Sequence, residues 1–176
     1  IALGATLGLI PGGIDLAVGS TLAGVGTVLL GLIDSSPNGI LRGLGIPGVP
    51  ACIIGILGAF LAGALIGALI GLGVTNGRVP PFIITLGVMN IVRSIAQYFT
   101  KSYTPKVPSE FTAISNTVIF GQRLLPIIYW LVLAVILHMV MNRTRFGRYV
   151  YAVGSNERTT RLSGINVNKV KFMVYT

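Results

Sequence analysis

A chain of 176 residues that is 53% hydrophobic, only 10% charged and carries 24 glycines lacks the polar surface a soluble domain needs and has a membrane protein's composition. Its 13 basic residues against 4 acidic ones give a net charge of +9, but they sit in connectors between apolar runs, which excludes a nucleic-acid footprint gathered on one polar surface. The single Cys52, inside an apolar run, excludes a disulfide framework or cysteine metal cluster within the chain and reads as a small packing residue.

In chain order, Ile1–Ile10 reads as the tail of a spanning or half-spanning helix, interrupted at Pro11-Gly12-Gly13. Leu16–Ile33 carries no charge and has about the minimum length to cross the hydrocarbon. Asp34 to Gly39 signals a turn, and the connector continues through Arg42 to Pro47 and Pro50. Val49–Val74 is long enough to span with some tilt, and Gly77 to Pro81 is a short, stiff connector before the apolar run Phe82–Phe99. Thr100–Leu124 is polar, with Lys101, Lys106, Glu110 and Arg123, and Leu125–Met141 spans again. A further apolar run begins over 170–176, so the expectation is one domain, residues 1–176, that is a fragment of a larger protein: an all-α, polytopic transmembrane helical bundle.

Asn142 to Gly164 breaks this apolar chain with dense positive charge. With Lys169 and Lys171, seven basic residues fall there against one acid, Glu157, which marks 142–169 as a cytoplasmic loop. Alternating backward puts 100–124 outside, 75–81 inside, 34–48 outside and 11–15 inside. Eight basic residues then lie inside and four outside, with Arg93 left in the membrane.

Small residues recur every four positions at Gly55, Ala59, Gly63, Gly67 and Gly71, and again at Gly19, Ala23, Thr27 and Gly31. In lipid, close backbone approach along such rows is a main source of helix association, so both segments are expected to be buried in a bundle. The rows serve either tight packing or sliding during a transport cycle, and a large residue at Gly63 is expected to separate the helices. Asp15 is placed either to cap the helix that follows or to stand at a broken helix facing a polar pathway. Asn90, Arg93, Ser94 and Gln97 share one helical face; burying them against lipid costs several kcal/mol, so they line a candidate pathway, unless Arg93 and Gln97 snorkel to the interface. His138 stands alone in its run and reads as a hydrogen-bonded packing residue, while Tyr129 and Trp130 fit an interface anchor.

Residues 153–157 read as a turn followed by a short helix, capped by Ser155 or Asn156, with Leu162 and Ile165 supplying apolar contact. A phosphate-binding Gly-x-x-x-x-Gly-Lys-Ser/Thr loop, a His-Glu-x-x-His pair and a Gly-x-Ser-x-Gly elbow are all absent from the sequence, which argues against an enzyme and calls for no cofactor or metal.

Three stretches together carry a resemblance: Gly12 to Gly19, Val79 to Gly87, and Thr144 to Glu157 running into Arg161 to Ile165. They resemble the membrane permease subunits of carbohydrate ABC importers of the ribose, xylose and galactose class, over essentially the whole chain. The sequence departs at Ala17, where that family usually shows Ser, and at Ser155-Asn156-Glu157. The resemblance implies a multi-pass subunit of the bacterial inner membrane that moves a sugar, or a related small polar cargo, and leaves ATP hydrolysis to a partner. It implies that Gly154, Ser155, Asn156, Glu157, Arg158, Arg161, Leu162, Ser163 and Gly164 form a loop docking on an ABC ATPase subunit. A second permease copy or homologue and an extracytoplasmic sugar-binding protein are the other implied partners. From charge alone, the same arginines would anchor membrane lipid headgroups. The rivals are a secondary transporter or channel working without an ATPase, which would place more ionisable residues within the membrane, and a membrane-embedded enzyme.

Overall fold

A chain with long uncharged runs in lipid must satisfy its backbone within each run, and the helix is the local way to do so. The computed structural model describes residues 2–37, 39–77, 79–100, 105–116, 122 and 124–176, and every regular element among them is helical. The helices are α1 (Ala2–Leu9), α2 (Val18–Ile33), α3 (Ile40–Gly43), α4 (Val49–Thr75) and α5 (Pro81–Thr100), then α6 (Ser109–Asn116), α7 (Leu125–Arg143), α8 (Arg145–Ser155), α9 (Glu157–Leu162) and α10 (Val167–Tyr175). Pro50 and Pro126 sit in the first turns of α4 and α7, where a missing amide hydrogen costs nothing.

Among the described residues three helices, α4, α5 and α7, are long and apolar enough to cross a membrane. The helix expected over Leu16–Ile33 begins only at Val18, and its 16 residues reach about 24 Å, short of the hydrocarbon thickness. Residues 13–17 before it are not helical, so α1 and α2 are separate pieces.

Helix α4 is the post against which α2, α5, α6 and α10 pack. It runs antiparallel to α2: a Cβ built on Gly55 would lie 2.3 Å from Ile33 Cγ2, one on Gly58 2.6 Å from Leu32 Cδ1, and one on Gly63 3.5 Å from Val25 Cγ2. It runs antiparallel to α10 as well, with Gly67 against the backbone of Tyr175 and Gly71 against Phe172. Helices α2 and α5 are parallel. Their starts meet where Thr85 Oγ1 donates to the Ile14 carbonyl at 3.4 Å, and their far ends meet where the Lys106 amide donates to Asp34 Oδ1 at 2.9 Å.

The glycine row on α4 therefore has two partners. Four residues advance a helix by slightly more than one turn, about 40° too far, so a four-residue row winds around the helix and turns from α2 at Gly55 to α10 at Gly71. At Gly63 an added Cβ would make ordinary van der Waals contact with Val25 of α2, and the tightest approaches of the row are at Gly55 and Gly67. The glycines of the second row are open. Added Cβ atoms at Gly19 and Gly31 meet nothing within 4 Å, and the close approach from α2 to α5 is Gly24 against Val92 Cγ1.

At the end of the molecule that carries the arginine-rich segment, Met141, Val150, Val153, Val167 and Val170 form a buried cluster, with Leu7, Ile10, Phe146, Ile165 and Val174 packed around it. This cluster joins α1, α7, α8 and α10. The opposite end is closed by Asp34, only 2% exposed, whose carboxylate accepts hydrogen bonds from the amides of Ser36 and Lys106 and from Ser36 Oγ, each at 2.9 Å.

Candidate functional site

Helix α5 is two-faced because its sequence is. Thr85, Val92 and Ala96 are buried, while Asn90, Arg93, Ser94 and Gln97 are all exposed. At about 100° per residue, the four polar residues lie opposite Ile84, which meets Gly73 of α4, and the open small row of α2 lies opposite the α2 residues that meet α4. Since α2 and α5 are parallel, both rows turn away from α4 and border one open face. Asn90 Nδ2 spends one donor on the Leu86 carbonyl at 3.0 Å, one turn back. At the far end of this helix pair, a cavity of about 400 Å³ is lined by residues including Thr27, Gly31, Asp34, Phe99 and Thr100.

Asp15 stands in the non-helical stretch before α2, half-buried. Its Oδ1 accepts the Ala17 amide at 2.8 Å, one residue ahead of the helix, and the residue at the cap position, Ala17, carries no side-chain bond to α2. The carboxylate thus closes a local turn instead of capping the helix. Asp15 lies beside the start of α5, where Ile14 meets Thr85, whereas Asn90, Arg93, Ser94 and Gln97 run from the middle of that helix toward its far end, so Asp15 stands apart from them.

The segment expected to begin as a turn at 153–157 is helical through Ser155. Helix α8 spans Arg145–Ser155, with Thr144 Oγ1 accepting the Gly147 amide at 3.3 Å as its cap. Its Phe146, Val150 and Val153 face the buried cluster, and Arg145 and Arg148 lie on the exposed side. Asn156 alone is the break: its Oδ1 accepts the Thr159 amide at 3.0 Å and starts α9. Leu162 is 83% exposed, so it makes no apolar contact; Ile165 does. Gly154, Ser155, Asn156, Arg158, Arg161, Leu162, Ser163 and Gly164 are exposed together at one end, with Gly164 at φ 82 turning the chain into α10. Glu157 is half-buried, and bonds from Lys171 and Arg161 outweigh its partial burial and hold its carboxyl below the usual range.

Residues 1–176 match the family described as the branched-chain amino acid transport system permease component. The chain belongs to this permease family. It is 36% identical over its whole length to the ribose import permease protein of Escherichia coli K12, covering 52% of that protein. It is 32% identical to the fructose import permease protein of Rhizobium meliloti, over 97% of this chain and 46% of the relative. It is also 32% identical to the autoinducer 2 import system permease protein of Klebsiella pneumoniae, over 100% of this chain and 47% of the relative. The chain thus spans about half the length of the curated relatives it matches, and no solved structure matches it. With its helices of spanning length, the permease is a multi-pass protein of the bacterial inner membrane.

Two positions in the permease escaped sequence reasoning. Asp34 looked like a turn residue, yet it fastens the end of α2 to a segment 72 positions away. Thr160, 5% exposed, sends its hydroxyl toward the carbonyls of Ala152 and Asn156, both at 2.8 Å, and locks the α8–α9 elbow. Only Thr160 had a local signal, a small hydroxyl four residues after a cap. His138 is exposed on α7 and lies 3.1 Å from Asn142 Nδ2, one turn on; Tyr129 and Trp130 are exposed on the same helix. Arg78, Lys101 and Arg123, counted in the charge balance, lie outside the described residues.

Proposed function

We propose that this permease is the membrane subunit of an ATP-driven importer for a sugar or a similar small polyhydroxylated solute, paired with a second permease copy or homologue. The observation that carries the reading is the braced elbow at 144–164. A short amphipathic helix sits on a buried valine cluster and holds a second short helix, with Arg158, Arg161 and Leu162 exposed, clear of the bundle. A rigid exposed knob is the shape a moving partner can grip. An ABC ATPase subunit is that partner, since the sequence carries no nucleotide-binding loop of its own.

The basic end faces the cytoplasm, in keeping with the excess of arginine and lysine there. The open face of α2 and α5, with Asn90, Arg93, Ser94 and Gln97, lines the pathway: four polar side chains in a helix of spanning length are costly against lipid and useful beside water and hydroxyl groups. An extracytoplasmic sugar-binding protein delivers the cargo at the opposite end. Relatives named for ribose, fructose and autoinducer 2 import support the cargo class.

The test is a single cysteine at Ser155 in the full-length protein. It should react with an impermeant thiol reagent in inverted vesicles but not in intact cells, and it should crosslink to the co-expressed ATPase. Labelling from the outside, or crosslinking to lipid only, refutes the reading. Arg93→Ala should lower uptake while the amount of assembled complex stays unchanged.

A further inference from the structure

Glu157 is the single acid between Asn142 and Thr176, and it sits where α9 begins. Its carboxylate takes Lys171 Nζ at 2.7 Å and Arg161 Nη2 at 3.1 Å. Arg161 belongs to the same short helix, but Lys171 lies 14 residues on, in the middle of α10. The residues that follow Lys171 on α10 meet α4. A Cβ on Gly71 would lie 3.0 Å from Phe172 Cδ2 and 3.3 Å from its Cα, and one on Gly67 would lie 2.0 Å from the Tyr175 carbonyl oxygen.

Helix α10 is therefore held on two sides by different means. Toward α4 it rests on glycines, backbone to backbone at Gly67 and with the Phe172 ring and backbone against Gly71, so little slack is left to absorb a displacement. Toward α9 it is joined by one ion pair, with the α9–α10 turn passing through Gly164 and the buried contacts of Val167 and Val170 leading to α8.

We propose that Glu157 is a positioning residue: by holding Lys171 it makes α10 move with α9, so that a pull on the exposed elbow reaches α4 at Gly67 and Gly71. This rests on the reading of the elbow as the ATPase-docking element and adds the route by which its motion enters the bundle. The Glu157 side chain is 43% exposed and Lys171 22%, so the pair is partly solvated and its contribution to folding is modest. What it supplies is a direct link between two short helices that are otherwise joined by a glycine turn and, through α8, by the buried valine cluster.

The experiment uses the full-length permease with its ATPase and binding protein, reconstituted in proteoliposomes, and reads solute transported per ATP hydrolysed. Glu157→Gln should lower that ratio about threefold or more, read per assembled complex, a size typical of coupled charged pairs. The exchange Glu157→Lys with Lys171→Glu should restore most of it, which a merely structural loss would not allow. A Glu157→Gln transporter that stays fully coupled, or an exchange no better than either single variant, overturns the latch while leaving the docking reading standing. A wild-type permease that neither assembles with the ATPase nor transports on ATP overturns both.

Discussion

Gly67→Ala is the sharpest probe of how α4 is held. The added Cβ would lie 2.0 Å from the Tyr175 carbonyl oxygen and 3.0 Å from Thr176 Cα, both backbone atoms that no rotamer change can move. Restoring an ordinary contact requires α10 to back away by about 1.4 Å, an overpacking of the kind that costs about 1–3 kcal/mol. Replacing a helical glycine with alanine also gains about 0.5–1 kcal/mol of backbone entropy, which blurs the effect if Gly67→Ala is read alone. Gly63→Ala, one step along the row, receives the same gain, but its Cβ would stand 3.5 Å from Val25 and displaces nothing. The difference between the two variants thus isolates the clash at about 1–3 kcal/mol. Thermal unfolding of the purified full-length permease in detergent should put Gly67→Ala several degrees below Gly63→Ala, with Gly63→Ala at or above wild type. Equal midpoints, or a Gly63→Ala that is the less stable, would refute the two-partner account of the row.

Two further outcomes follow from the same geometry. Asp34→Ala removes the acceptor for the Lys106 and Ser36 amides and should cost about 1–3 kcal/mol, measured as a lower unfolding midpoint at neutral pH. Burial alone would raise the Asp34 carboxyl, but the Ser36 and Lys106 bonds win and hold it below its usual value. A depressed carboxylate stabilises the fold above its unfolded value of about 3.9, and that stability disappears as pH falls through the folded value, so the gap between wild type and Asp34→Ala should close below about pH 4 and stay constant above it. Thr160→Val keeps the shape of the α8–α9 elbow but loses the hydroxyl that reaches two carbonyls, at about 0.5–1.5 kcal/mol. Trypsin should then cut at Arg158 and Arg161 faster than in wild type, and an unchanged cleavage rate would mean the elbow is held by the valine cluster alone.

What could be read from the chain was what one dimension encodes. Absence of charge over a long apolar run is a local property, and the helices α4, α5 and α7 lie where such runs lie. The polar face of α5 was likewise visible as spacing, though spacing does not say what the face looks at. The glycine row on α4 was equally plain in the sequence, but a row gives a direction on one helix and not its neighbour, and its slow winding exchanges α2 for α10 partway along. Helix α8 was obscured for a different reason. Its arginines suggested a loop, although Phe146, Val150 and Val153 already had helical spacing. Asp34 was beyond reach: its acceptor role is settled by Lys106, and no local pattern announces a partner so far along the chain.

The winding of that row bears on how the two ends of the permease communicate. Had the small residues kept to a strict face, α4 would have presented one seam to one partner, and α10 would have needed larger side chains to reach the bundle. Side chains of that size change rotamer easily, and a push from the basic end would be lost among them. Because the row drifts by about 40° at each step, the same helix offers glycines to α2 near Gly55 and to α10 near Gly67, and both contacts are made backbone to side-chain root or backbone to backbone. Under the proposed coupling, a displacement of α10 would reach α2 through α4, and α2 shares with α5 the open polar face. On that proposal, the spacing that looks like ordinary membrane packing is also what joins the arginine-rich elbow to the polar face.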